Sequence, residues 1–173
     1  MQTYIQKACH LGATSATVID ASLIKVAEWV RLKCQFGCGA YGGCLTCPPF
    51  SPSPQVTQKM LEDYSHALLL RFDQISPEKE DTIRRLTRKV VSELERTLFL
   101  DGYYKAFGLT AGPCPLCDPC DITAPCKHPR EARPALEACG IDVYQTVRNA
   151  GQNLEVVPSE DSCFTLVSLI LIE

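Results

Sequence analysis

Eight of the chain's 11 cysteines sit in two short runs, and that placement constrains the fold more than any other feature. Four lie between Cys34 and Cys47 and four between Cys114 and Cys126, while Cys9, Cys139 and Cys163 stand alone. An odd count excludes complete internal disulfide pairing. The N-terminus, Met1 to Ala8, lacks the basic-then-apolar profile of a secretory signal, so the expected setting is a reducing, cytoplasmic one. Disulfides are rare there, and the same thiol density points to metal instead.

The second run reads Cys114-Pro-Leu-Cys117-Asp-Pro-Cys120, five further residues, then Cys126-Lys-His-Pro129. Three cysteines at successive two-residue gaps let a loop wrap its thiolates around three corners of one cubane, and the fourth cysteine reaches the last corner. Pro113, Pro115, Pro119 and Pro125 stiffen the loop and remove amide donors. Zinc is the alternative, although structural zinc sites usually pair two short knuckles set well apart. His128 reads as an exposed loop residue beside Lys127. Both offer positive charge near an anionic cluster, which would raise its reduction potential.

The first run, Cys34-x3-Cys38-x5-Cys44-x2-Cys47-Pro48-Pro49, is less diagnostic and suits either a cubane or zinc. Its glycines at 37, 39, 42 and 43 let the backbone approach a bulky cofactor. The candidate ligands are therefore Cys34, Cys38, Cys44, Cys47, Cys114, Cys117, Cys120 and Cys126. The fourth cysteine of a run serves the other cluster in two-cluster ferredoxins, so grouping by sequence need not be grouping by site. Cys163 reads as a core thiol at the start of the last strand, Cys139 as a helix-end thiol and Cys9 as structural.

Around the runs, helix and strand patterns alternate. Asp20 is expected to cap a helix reaching Lys33. Ser53-Pro54 starts another, and Ser76-Pro77 the longest, whose Ile83, Leu86, Val90, Leu94 and Leu98 keep spacings of three and four before Gly102. Glu131–Ala138 reads as a short helix with an Arg133–Glu137 ion pair, and Asp142 with Gln145 as a capping box. Strands are expected at His66–Phe72, Tyr103–Thr110 and Phe164–Ile172, with a weaker one at Ala16–Ile19. The expected fold is α/β: one compact domain over residues 1–173, a roughly four-stranded sheet with flanking helices, and cysteine loops at 34–50 and 113–129. Arg84, Arg85, Arg88 and Lys89 read as a solvated helix face. A net charge of −3 gives no reason to expect nucleic acid or an anionic membrane as partner, and no apolar run reaches spanning length.

Several multi-residue blocks together resemble one family. They are Leu32-Lys33-Cys34, Gly42-Gly43, Cys47-Pro48-Pro49-Phe50-Ser51-Pro52-Ser53-Pro54, Gly112-Pro113-Cys114, Cys126-Lys127-His128-Pro129, Arg133-Pro134, Glu137 and Gly140-Ile141-Asp142-Val143. From about Leu11 to Ile170 the chain resembles the predicted metal-binding family called domain of unknown function twenty-two eighty-four. The resemblance implies metal ligation through the eight clustered cysteines and a setting in anaerobes; it implies no biochemical role. Ala135 departs from the pattern where Ser is expected.

The expectation is an iron–sulfur protein with two [4Fe-4S] clusters, a redox partner protein and no catalytic residues, working in electron transfer. Two clusters in so short a chain leave little room for a large substrate pocket. The alternatives are a cluster-dependent enzyme or maturation factor, a zinc-binding structural module, and a redox or oxygen sensor. For an enzyme the accessory groups are Tyr41, Lys127, His128, Arg133, Glu137 and Asp142. The glycines of the first run form neither a P-loop nor a dinucleotide fingerprint, and the x3-x5 spacing is not that of radical-SAM enzymes.

Overall fold

The two longest apolar runs pair through the middle of one sheet. In the computed structural model, which describes residues 1–173, strands β1 (Ser15–Asp20), β2 (His66–Ile75), β3 (Phe107–Leu109) and β4 (Phe164–Ile172) form a four-stranded sheet in the order β1-β2-β4-β3. Every neighbouring pair is antiparallel, and Leu69 lies opposite Leu169 at the centre of the β2–β4 ladder. Alternate side chains point to opposite faces of a strand, so β2 and β4 each supply two cores. Ala67, Leu69, Val167, Leu169 and Leu171 enter one, and Leu68, Leu70, Phe72, Ile170 and Ile172 the other. A strand buried on both faces reads as a near-continuous apolar run.

Helices cover both faces. Helices α1 (Gln2–Leu11) and α4 (Glu80–Leu100) close one side, burying Tyr4, Ala8, Val90, Val91, Leu94 and Leu98. Helices α3 (Pro54–Leu61) and α5 (Val143–Asn149), with the segment through Leu136 and Ile141, close the other. Helix α2 (Glu28–Gly37) leads into the first cysteine loop. The fold is thus α/β, with the sheet as the middle of three layers. No helix is long and apolar enough to cross a membrane.

The anticipated caps form. Ser53 Oγ accepts from the Val56 amide at 3.3 Å and Asp142 Oδ1 from the Gln145 amide at 3.0 Å. Three expectations fail, the first two through non-local pairings. Asp20 caps only a 3-10 turn, Ala21–Leu23, because the next residues bond to a distant segment. Val26 bridges Ile141, the Ala27 amide donates to the Gly140 carbonyl and the Asp142 amide to the Lys25 carbonyl. The helix restarts at Glu28 and therefore reaches Gly37, which puts Cys34 on a helix rather than in a loop. The expected helix over Glu131–Ala138 shrinks to a 3-10 turn, Glu137–Cys139. Pro134 cannot donate within a helix, and the Thr110 amide donates to its carbonyl while the Leu136 amide donates to Thr110. The expected strand Tyr103–Thr110 is reduced to β3, since a turn holds Tyr103 to Ala106. α1 had no sequence expectation.

Candidate metal centre

The first cysteine loop is held at both ends. Arg31, one turn before Cys34 on α2, donates to Ser51 Oγ at 3.1 Å, to the Pro52 carbonyl at 3.2 Å and to the Ala138 carbonyl. Ser51 Oγ donates to the same Ala138 carbonyl at 2.7 Å. One side chain thereby joins α2, the far end of the loop and the turn at 137–139. Within the loop the Gly42 amide donates across to the Pro48 carbonyl at 2.8 Å, and Gly42 has φ +72°, a conformation open to glycine. The Cys47 amide donates to the Cys44 carbonyl, so these two cysteines flank a tight turn.

The second loop leaves β3 directly and is pinned to α4. Arg133 donates to Glu95 through its guanidinium fork, with Nε to Oε2 at 2.7 Å, and Glu95 also accepts from the Gly108 amide at 2.6 Å. The Glu95 hydrogen bond holds the Arg133 guanidinium above its ordinary pKa, against the effect of burial. A Cβ at Gly108 would collide with Val91 and Glu95, so glycine lets the strand lie against the helix. The expected Arg133–Glu137 pair is absent because Glu95 takes Arg133.

The eight thiols line two adjacent cavities, grouped differently from the sequence. Cys34, Cys38 and Cys47 line a cavity of about 340 Å³ bounded by α2 and the start of α5. Cys44 lines a smaller one with Cys114, Cys117, Cys120 and Cys126. The Cys44 thiol donates to the Cys114 carbonyl at 3.6 Å. Burial pushes it up, and Cys120 and Cys114 push it further. Burial pushes Cys47 up to about 12, assisted by Cys44 and Cys38, and raises Cys34 with help from Cys38 and Glu137. All eleven thiols are free. No three His, Cys, Asp or Glu side chains close to the spacing of a single ion; Cys34, Cys38 and Cys47 border open space, while the other five close on a void of about 10 Å³.

Of the accessory residues, Tyr41, Glu137 and Asp142 line the larger cavity. Glu137 Oε2 is buried without a hydrogen-bond partner. His128 is half-buried at the smaller cavity, not an exposed loop residue as expected, and its amide donates to Cys126 Sγ at 3.4 Å. Lys127 is exposed. Cys139 is fully buried in the core, with its thiol pushed up to about 12 by burial. Cys163 is exposed, contrary to the core reading, because it lies in the turn just before β4.

Sequence reasoning missed Arg88. It was expected on a solvated face, but only Arg85 and Lys89 of that group are exposed. Arg88 is fully buried and donates to the carbonyls of Arg84 at 3.1 Å, Ala111 at 3.4 Å and Gly112 at 2.8 Å. No carboxylate pairs with it. Burial lowers its pKa, and Cys114, then Cys44, oppose that. A buried cation without a counter-charge is costly. Thiolates in the smaller cavity would supply that charge, and thiolates so crowded would in turn need a cation at their centre. The residues present thus fit a thiolate-bound metal group.

Free thiols gathered from distant segments onto a rigid sheet scaffold define a cysteine-rich metal-binding protein. The chain belongs to the family described as predicted metal-binding protein (DUF2284), whose model matches residues 17–172. No curated protein and no solved structure matches it.

Proposed function

We propose that the chain is a cytoplasmic iron–sulfur protein that holds two [4Fe-4S] clusters, one at each cavity, and relays electrons to a redox partner protein. The observation that carries this reading is Arg88, a fully buried guanidinium with no carboxylate partner beside Cys114 and Cys44. It supports a permanently anionic site. The two-residue spacings of Cys114, Cys117 and Cys120 favour iron and sulfide over zinc, as does a cavity with more thiols than one tetrahedral ion uses. Cys34, Cys38 and Cys47 would hold the second cluster. A bound cluster supplies one-electron chemistry. The Cys44–Cys47 turn keeps the two sites adjacent, which suits a relay. Leu32 and Phe36, apolar and exposed on the helix that carries Cys34, offer a contact for the partner.

The test is electron paramagnetic resonance of anaerobically reconstituted protein, reduced by a low-potential donor. Two neighbouring reduced clusters give a spin-coupled spectrum. Replacing Cys114, Cys117 and Cys120 together by Ser removes the coupling and leaves the signal of the other cluster. A colourless, silent protein carrying stoichiometric zinc contradicts the reading.

A further inference from the structure

We infer that the larger cavity is a small-molecule site, in which Cys34, Cys38 and Cys47 supply three thiolates and the fourth position of the group they hold is taken by an exogenous ligand. The inference rests on the two-cluster reading and concerns how the thiols are divided. Cys44 is the remaining cysteine of the first run, and it is turned away: its thiol donates to the Cys114 carbonyl, and it lines the smaller cavity with Cys114 and Cys120 and not the larger one. The division is therefore three against five. No isolated cysteine makes up the difference, since Cys139 belongs to the hydrophobic core while Cys9 and Cys163 are exposed elsewhere. Asp142 lines the cavity, but its carboxylate is engaged in capping α5.

The cavity extends well past the three thiols, to Trp29 and Val30 on α2, Tyr41 on the loop, and Val143 and Tyr144 on α5. Its volume of about 340 Å³ has to hold the metal group as well as the ligand, so the room left suits a small molecule only, and the lining is mostly apolar with a few placed polar groups, as in small-ligand sites. The polar groups here are Lys33, whose ammonium lies 5.7 Å from the centre of the Trp29 ring, and Glu137 with its unpartnered buried oxygen. An apolar wall beside an open thiophilic position selects a small, largely apolar molecule bearing one thiol or hydroxyl donor, and Glu137 gives it one polar anchor. A cluster ligated by three cysteines has one iron chemically distinct from the rest.

The test uses the full chain reconstituted with ⁵⁷Fe and read by Mössbauer spectroscopy. One iron in one cluster differs from the others, and thiophenol, the probe, shifts that iron alone. The charged thiol 2-sulfanylethanesulfonate binds about tenfold more weakly, because it gains nothing from the aromatic wall. Trp29→Ala, at an exposed position, keeps the iron content and weakens thiophenol about tenfold. Glu137→Gln leaves the distinct iron in place. The inference is overturned if both clusters are present and thiophenol shifts nothing, or if Glu137→Gln abolishes the distinct iron, which would make Glu137 the fourth ligand. Absence of iron and sulfide overturns the two-cluster reading along with it.

Discussion

At the scale of single residues, Arg88 says most about what the protein is for. It is one of seven polar or charged residues with buried side chains, and the only ionisable one. Three carbonyls accept from its two terminal nitrogens, its buried Nε–H has no partner, and nothing offsets its charge. In the metal-free chain that charge is a liability, so Arg88→Met changes stability little: lost hydrogen bonds and relieved desolvation oppose each other. If the smaller cavity holds a cluster as proposed, the cation would favour its reduced, more negative state. Removing it is expected to lower that cluster's reduction potential by about 60 mV, a tenfold shift for one electron, with the other cluster unchanged. Arg88→Lys retains most of the value. A redox titration showing both potentials unmoved would separate Arg88 from the site. Its importance was invisible in the sequence, where it sits among Arg84, Arg85 and Lys89 on an amphipathic helix. Nothing local marks the one basic residue whose side chain turns beneath a loop 24 residues away.

At the scale of elements, what was legible followed from local pattern. The three-and-four spacing of α4 reads directly as a helix with one buried face, and the Ser53 and Asp142 caps follow from side-chain chemistry beside the backbone they satisfy. What was not legible came from distant partners. The Val26–Ile141 bridge interrupts a helix that local propensity favours, and the Thr110–Ala135 bridge removes another. The eight cysteines were readable as candidate ligands from spacing, but the division between cavities was not, because it depends on where the Cys44–Cys47 turn aims each thiol. Arg133 was likewise assigned a neighbour in sequence, whereas its partner lies on α4. That pair clamps the second loop, and both side chains are mostly buried, at 16% and 14% exposed. Glu95→Ala strands a buried guanidinium and the Gly108 amide, and is expected to cost about 3 kcal/mol in urea unfolding. A loss under about 1 kcal/mol would class the pair with ordinary surface bridges.

At the scale of the whole molecule, the sheet separates two tasks. Its face toward α1 and α4 is a conventional apolar core. Beyond its β3 edge, the loops from α2 and β3 meet around two thiol-lined cavities, and the turn at 137–139 joins them to the opposite core through Leu136 and Cys139. Rigid elements thereby hold the ends of both loops while the loops carry the chemistry. The central claim is that these cavities enclose iron and inorganic sulfide. Iron and acid-labile sulfide, counted per chain after strictly anaerobic purification, test it most directly. The account predicts about eight of each; one or two zinc ions per chain with no sulfide would contradict it.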